Sequence, residues 1–364
     1  MKKTQLSYLL KASMIIATAF LLWNVIACQE GTEPPDEPEP PVLSSPRPTV
    51  RVLIASSGLG DMSYNDNIFR GILEAQQEYD FWLEYVSPRN EGEAEKILRT
   101  WQEEEKKDTA RAYFTILAAS EFEDLARSIV PPAPVNHYLL FDTKAEDFPI
   151  PVFHFTGYGV SFLAGVAAYT QTRDKGHKVA YLGGQQHEAF LEECYDGFRD
   201  GYIYAGGEEV IETYLSATQK GFAMPGRAYI MADSLYKLYP FIYAVAGNSN
   251  TGVYQYLRDY PDGKYTAGVD VDQSAYSTRI IGSMIKETDR CVKEYIALWV
   301  QGKEVPMRKW YTLESGFMSF KIAESYKTLL EEVVNEHLPI AIKKEAEYEK
   351  VNANSSRASN VRLP

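Results

Sequence analysis

Three cysteines and five histidines are scattered through 364 residues, too few for a disulfide-built scaffold or a rich cluster of metal ligands. Positive charge is also scarce: 37 Lys and Arg stand against 50 Asp and Glu, a formal charge of −13. With no basic stripe to neutralise phosphates, nucleic acid is excluded as the main partner. Several chemical motifs are missing. Neither GxxxxGK(S/T) nor GxGxxG occurs, so no loop of those kinds cradles a phosphate or dinucleotide, and there is no HExxH or GxSxG. No cysteine has a plausible histidine partner, and His137, His154, His177, His187 and His337 are dispersed. No metal or cofactor is expected, and a binding protein is expected rather than an enzyme. Asp270-Val271-Asp272 is on its own a poor match for a metal-binding aspartate cluster.

What is present suits a folded, exported domain. Hydrophobic residues at 45% and charged residues at 24% are ordinary globular values. The length exceeds the roughly 250–300 residues that one core usually serves, which predicts two lobes. At the N-terminus, Lys2 and Lys3 precede an apolar run from Leu9 to Ile26 that stops at Ala27-Cys28. This is the anatomy of a signal peptide over residues 1–27, with an uncleaved membrane anchor as the alternative. Val25-Ile26-Ala27-Cys28 resembles a bacterial lipobox, which implies lipidation of Cys28 and a membrane-anchored protein facing the periplasm or cell exterior. Residues 28–48 are rich in Pro and Glu, an extended, solvated stalk. Cys194 and Cys291 fall in helical patterns, and their spacing is compatible with buried thiols or with a disulfide.

From Thr49 onward, short β-rich runs alternate with helical patterns. Strands are predicted at 50–56, 81–86, 112–117, 137–141, 152–155, 178–182, 209–214, 241–246 and 265–269. Helices fall between them, a long helix covers Thr278 to Val300, and a strand-like stretch near Trp310–Phe320 precedes a helix from Ile322. This alternation predicts parallel sheets covered by helices, an α/β fold in two doubly wound lobes. Residues 49–155 would form lobe 1, with about 272–300 returning to it. Residues 156–271 would form lobe 2, with about 305–340. Residues 346–364 read as a flexible tail.

In such sheets, ligands sit beyond the carboxyl ends of the strands. Polar residues follow several strands: Ser56 to Asn65, Asp142, Thr156 to Gly159, Gly247 to Gly252, and Gly268 to Ser274. Each also has an ordinary structural reading. Asp61, Ser63 or Asn65 can cap the following helix, Gly247 and Gly252 can be turn glycines, Asp270 can be a cap, and Lys286 can lie on a solvated face.

The segment Gly60-Asp61-Met62-Ser63-Tyr64-Asn65, continuing to Phe69 and Gly71, resembles the Asp-x-Ser-Phe-Asn…Tyr-x-Gly signature of basic membrane lipoproteins. These are the PnrA-like substrate-binding proteins of purine nucleoside ABC transporters. Ordered matches follow at Asp142, Ser161 to Gly165, Gly183-Gly184, Gly197-Phe198, Gly201, Gly247, Gly252, Gly268 to Gln273 and Ser283 to Lys286. The chain departs from the pattern at Gly60, at Met62, after Phe222 and at Asn248-Ser249-Asn250. The resemblance implies a type I periplasmic-binding-protein fold with a three-segment hinge near Phe155–Gly159, Val269–Ser274 and Gln301–Tyr311. It also implies a small-molecule ligand, a purine nucleoside, delivered to an ABC transporter permease. By family position, Phe69 and Phe222 would sandwich the base, and Asp61, Asn65 and Asp142 would take its edge. Asp270 would accept from the ribose hydroxyls, with Lys286 donating to one and neutralising Asp270, beside Gly247 and Asn248. A sugar or other small polar ligand, or a sensory or surface-interaction role without transport, is the alternative.

Overall fold

Burial on both faces explains why the central strands are nearly continuous apolar runs. All five positions of β1 (Thr49–Leu53), β3 (Tyr113–Leu117) and β8 (Phe241–Val245) are buried. The computed structural model describes residues 46–130, 137–144 and 148–360. Cys28, the leader, most of the stalk and the prolines at 131, 132 and 134 lie outside the described residues.

The first sheet also contains β2 (Trp82–Val86), β4 (His137–Phe141) and β5 (Val152–Phe155). The second contains β6 (Lys178–Gln185), β7 (Glu209–Ser216), β8, β9 (Tyr265–Gly268) and β10 (Ile280–Lys286). β11 (Arg308–Tyr311) and β12 (Met318–Ile322) complete two six-stranded sheets of order β11-β5-β4-β3-β1-β2 and β12-β10-β9-β8-β6-β7. Every pairing is parallel except that of β10 with β12. The helices are α1 (Tyr64–Glu78), α2 (Glu91–Lys107), α3 (Glu123–Ile129), α4 (Tyr158–Thr172), α5 (Ala189–Tyr204), α6 (Pro225–Leu235), α7 (Asn250–Asp259), α8 (Thr288–Val300) and α9 (Lys327–Asn360). Each sheet reverses its strand order once, between β1 and β3 and between β6 and β8. Those reversals open the crevices where doubly wound folds bind ligands.

The stretch from Thr278 to Val300 differs from the single helix predicted for it. Ile280-Ile281 favours extended backbone, and Gly282 lies against Lys321 O and the Phe320 ring, where β12 pairs with β10. The segment therefore enters the second sheet as β10, and only α8 returns to the first, packing on α1. Gly71 of α1 permits that contact, because a Cβ there would stand 2.2 Å from Asp289 O. The chain thus crosses between the sheets at Thr156-Gly157, at Glu287 and over residues 312–317, rather than at Val269–Ser274 and Gln301–Tyr311. β11 joins the first sheet, although the 305–340 stretch was expected in the second lobe.

The expected flexible tail is helical as far as Asn360, the end of α9. Beyond the buried Leu330 and Val334, the inward stripe of α9 includes Ala341, Glu345 and Tyr348, only one of them aliphatic, so hydrophobic periodicity does not reveal its C-terminal part. Tyr348 stacks on Tyr158 at 4.4 Å. Glu345, 2% exposed, accepts hydrogen bonds from Thr156 Oγ1 (2.7 Å), Gly159 N (3.1 Å) and Leu313 N (2.9 Å). One carboxylate thereby fastens two of the three crossings. Cys194 on α5 and Cys291 on α8 are buried free thiols.

Candidate functional site

A cavity, partly open to solvent, lies where the carboxyl ends of the two sheets face each other. The first sheet supplies Ser57, Asp61, Tyr64 and Asn65 after β1, Ser120 after β3 and Asp142 after β4. The second supplies Glu188 and Phe190 after β6, Gln219 and Phe222 after β7, Gly247 and Asn248 after β8, Asp270 after β9 and Lys286 at the end of β10. Of the residues read from the sequence, Asp61, Asn65, Asp142, Phe222, Gly247, Asn248, Asp270 and Lys286 are thus brought together at this cavity. Phe69 is not. It sits one helical turn beyond Asn65, where its ring meets Tyr85 of the edge strand β2 at 4.6 Å.

The rings facing the cavity are Tyr64, Phe190 and Phe222. Phe222 is positioned by an unusually close backbone approach: a Cβ on Gly221 would lie 1.7 Å from Gly184 O, and one on Gly184 would strike the Phe222 ring. Ser249 secures the same turn, donating to Gly221 O and accepting from Met224 N, both at 2.7 Å. The Gly183-Gly184 pair read from the sequence therefore serves an aromatic wall.

Asp142 and Asp270 both leave their strands in the left-handed region, with φ of 63° and 65°. Asp tolerates this conformation better than most residues, and it turns both carboxylates off the strand ends. Lys286 forms its ion pair with Asp142, not with Asp270. The hydrogen-bond partner of the Asp270 carboxylate is the Ser63 hydroxyl, and the hydrogen bond between Asp270 and Lys286 is a backbone one, from Lys286 N–H to Asp270 O at 2.9 Å. The two positions are adjacent, but the chain meets the charge of Lys286 from the other lobe.

Behind the pair runs a buried chain of alternating charge. Asp142 lies 3.4 Å from His154 Nδ1, and His154 Nε2 is 3.1 Å from Glu193. Glu193 also accepts from Gly157 N at 2.8 Å and pairs with Lys144, which reaches Glu349 of α9 at 3.1 Å. Burial alone would raise the Asp142 carboxyl, but Lys286 and His154 outweigh it and hold the group well below the usual carboxylate range. Burial opposes the charge on His154 as well, yet Glu193 and Asp142 lift it to about 9. Burial likewise works against Lys286, and Asp142 and Asp270 overcome it. Burial pushes Asp270 up, opposed by Lys286 and Ser63.

The remaining acceptors divide into committed and free. Asp61 receives Ser63 N (3.0 Å), Asn65 N (2.9 Å) and Asp66 N (3.2 Å), so it chiefly fixes the turn into α1. Burial still raises its carboxyl to about 6. Asn65 Nδ2 donates to Ser57 Oγ and to Gly58 O, both at 2.9 Å. A backbone carbonyl can only accept, which fixes the amide orientation and leaves Asn65 Oδ1 buried without a hydrogen-bond partner. Across the cleft, Ser120 Oγ donates to Glu188 at 3.3 Å and Gln273 Nε2 to Met62 O at 3.3 Å.

Tyr64, Ser120, Glu188, Phe190 and Gln219 were not singled out from the sequence. The strand-end rule reaches Glu188 and Phe190 once β6 is extended to Gln185, past the Leu182 at which its apolar run stops. Ser120 follows β3 by the same rule.

The chain belongs to the PnrA-like family of ABC transporter substrate-binding proteins, whose model matches residues 49–355. It is similar to basic membrane protein A1 of Borrelia garinii subsp. bavariensis, 25% identical over 328 residues that span 85% of this chain and 92% of the relative. Among solved structures, it resembles a solute-binding protein of an ABC transporter system from Aeropyrum pernix, with a TM-score of 0.67 at 18% identity over 82% of this chain and 86% of the other. It also resembles a periplasmic solute-binding protein from Actinobacillus succinogenes with bound D-allose, with a TM-score of 0.58 at 12% identity over 78% and 100% of the two chains. At such identities the structural likeness concerns the fold: two α/β lobes of the type I periplasmic-binding kind.

Proposed function

We propose that this substrate-binding protein captures a purine nucleoside between its lobes for an ABC transporter, while tethered outside the cytoplasmic membrane through a lipid on Cys28. The observation that carries the reading is the cavity lining, in which aromatic rings from both lobes stand beside acceptor groups. A purine has two apolar faces and an edge rich in hydrogen-bonding atoms, and rings on both sides of a cleft match the faces. Tyr64 from the first lobe and Phe190 or Phe222 from the second are the candidate walls, in place of Phe69. Asn65 Oδ1 offers an acceptor that a ligand would satisfy. Asp270, beside Lys286, is suited to ribose hydroxyls, with Gly247 and Asn248 allowing close approach.

Binding across two lobes gives the closed form contacts that the open form lacks, and this differential drives hinge closure. A sugar is the second reading, favoured by the same carboxylates, which also accept from hydroxyl groups. A thermal-shift screen of the full chain against nucleosides, free bases and sugars separates the two. A nucleoside at 100-fold over its Kd adds about 2.7 kcal/mol to stability. A shift with sugars and none with nucleosides rejects the nucleoside reading.

A further inference from the structure

The acceptors around the cavity are not equally available. Asp142 is occupied by Lys286, by His154 and by the Phe155 N–H at 3.2 Å. Asp61 is occupied by three backbone N–H groups. Glu188 is less engaged: one oxygen takes the Leu191 N–H at 2.9 Å, and the other has only the long 3.3 Å contact from Ser120. A carboxylate offers about four acceptor sites, so Glu188 keeps capacity for a ligand. It is flanked by Phe190 and Leu191, which line the same cavity. An apolar face beside a charged acceptor matches a flat heteroaromatic ring with N–H groups on its rim. Asn65 Oδ1 adds a second acceptor, from the opposite lobe and without a partner.

We propose that Glu188 is a specificity-determining residue of this site: its carboxylate accepts an N–H of the base, selecting nucleosides whose base carries such a donor. The inference rests on the nucleoside reading above and adds the residue that reads the base edge. It transfers that task from Asp61 and Asp142, each of which already meets three donors, to the second lobe. Because Ser120 reaches Glu188 across the cleft, the residue engages the ligand and the opposite lobe in the same closed arrangement.

The test is calorimetric titration of the full chain and of Glu188→Gln with adenosine, guanosine and purine riboside. Purine riboside has the same ring and ribose but no N–H on its base. Glutamine retains a carbonyl oxygen for the Leu191 N–H, and urea unfolding of the variant verifies its fold. The wild type is expected to bind adenosine or guanosine at least tenfold more tightly than purine riboside. Glu188→Gln is expected to lose at least tenfold for the preferred nucleoside and less than twofold for purine riboside. Equal losses for all three ligands overturn the assignment, because a structural or ribose-binding role moves all of them together. Should the variant not fold, equal wild-type affinity for purine riboside and the amino- or oxo-purines overturns it independently. Absence of binding to every nucleoside instead rejects the functional reading, and the assignment to Glu188 with it.

Discussion

Lys286, the last residue of β10 in the second sheet, is ion-paired with Asp142, the residue that follows β4 in the first. Both side chains are at least nine-tenths buried. The pair therefore joins the lobes at the floor of the cavity, where it is shielded from salt and water. Removing one member leaves the other charged and uncompensated, which typically costs about 3–5 kcal/mol. Asp142→Asn and Lys286→Met should each cost about that much in urea unfolding, and the double variant should cost clearly less than their sum. Asp270→Asn combined with Lys286→Met should show a smaller coupling, since Ser63 is the side-chain partner of Asp270. Equal couplings for the two cycles would contradict the pairing described.

The aromatic wall gives a second contrast. Phe222 lines the cavity, whereas Phe69 packs against Tyr85. Phe222→Ala should weaken nucleoside binding by about tenfold or more, since ring contacts contribute about 0.5–1.5 kcal/mol beyond the buried area. Phe69→Ala should lower stability and leave affinity within about twofold. Calorimetry and denaturation of both variants distinguish the two roles, and the reverse pattern would return Phe69 to the site.

Much of the fold was readable because its signals are local. Continuous apolar strands such as Phe241–Val245 alternate with amphipathic helices, and glycines such as Gly71 mark close helix contacts. β10 was not readable because the pairing with β12 that decides its state is nonlocal. The C-terminal part of α9 escaped because it is held by the hydrogen-bonded carboxylate of Glu345 and the stacked ring of Tyr348, not by a periodic aliphatic stripe. The strand-end rule located most of the cavity, but the sequence reading set Lys286 against Asp270, whereas its ion pair is with Asp142. Asp142 and Asp270 lie at comparable strand ends, and only the way the two sheets face each other separates them.

Glu345 links pH to the hinge. Burial pushes its carboxyl up to about 7 from an ordinary 4.5, against the hydrogen bonds from Thr156, Leu313 and Gly159. An acid raised in the folded state contributes stability below its unfolded value and loses it as pH rises through the folded value. The chain should therefore lose on the order of 3 kcal/mol from this group between about pH 4.5 and pH 8. His154, raised to about 9 and ordinarily near 6.5, continues the same trend at higher pH. Urea midpoints across this range should fall less steeply for Glu345→Gln than for the wild type. Parallel profiles would remove Glu345 as the source.

The tether is tested by chemistry at Cys28. Metabolic labelling with a fatty acid should mark the wild type and not Cys28→Ala, and the variant should leave the membrane fraction or remain misprocessed. An unlabelled wild type would contradict the lipid anchor.

Lys286 is the sole cationic side chain among the described residues that line the cavity, and it is already paired with Asp142. A phosphate placed there would face Asp61, Glu188 and Asp270 with no free positive charge to meet it. The most direct measurement is calorimetric titration of the full chain with a purine nucleoside, its 5′-monophosphate and a free sugar in turn. One nucleoside should bind per chain, with the monophosphate at least 100-fold weaker and the sugar giving no saturable heat. Saturable binding of the sugar with no heat from the nucleoside would contradict the account.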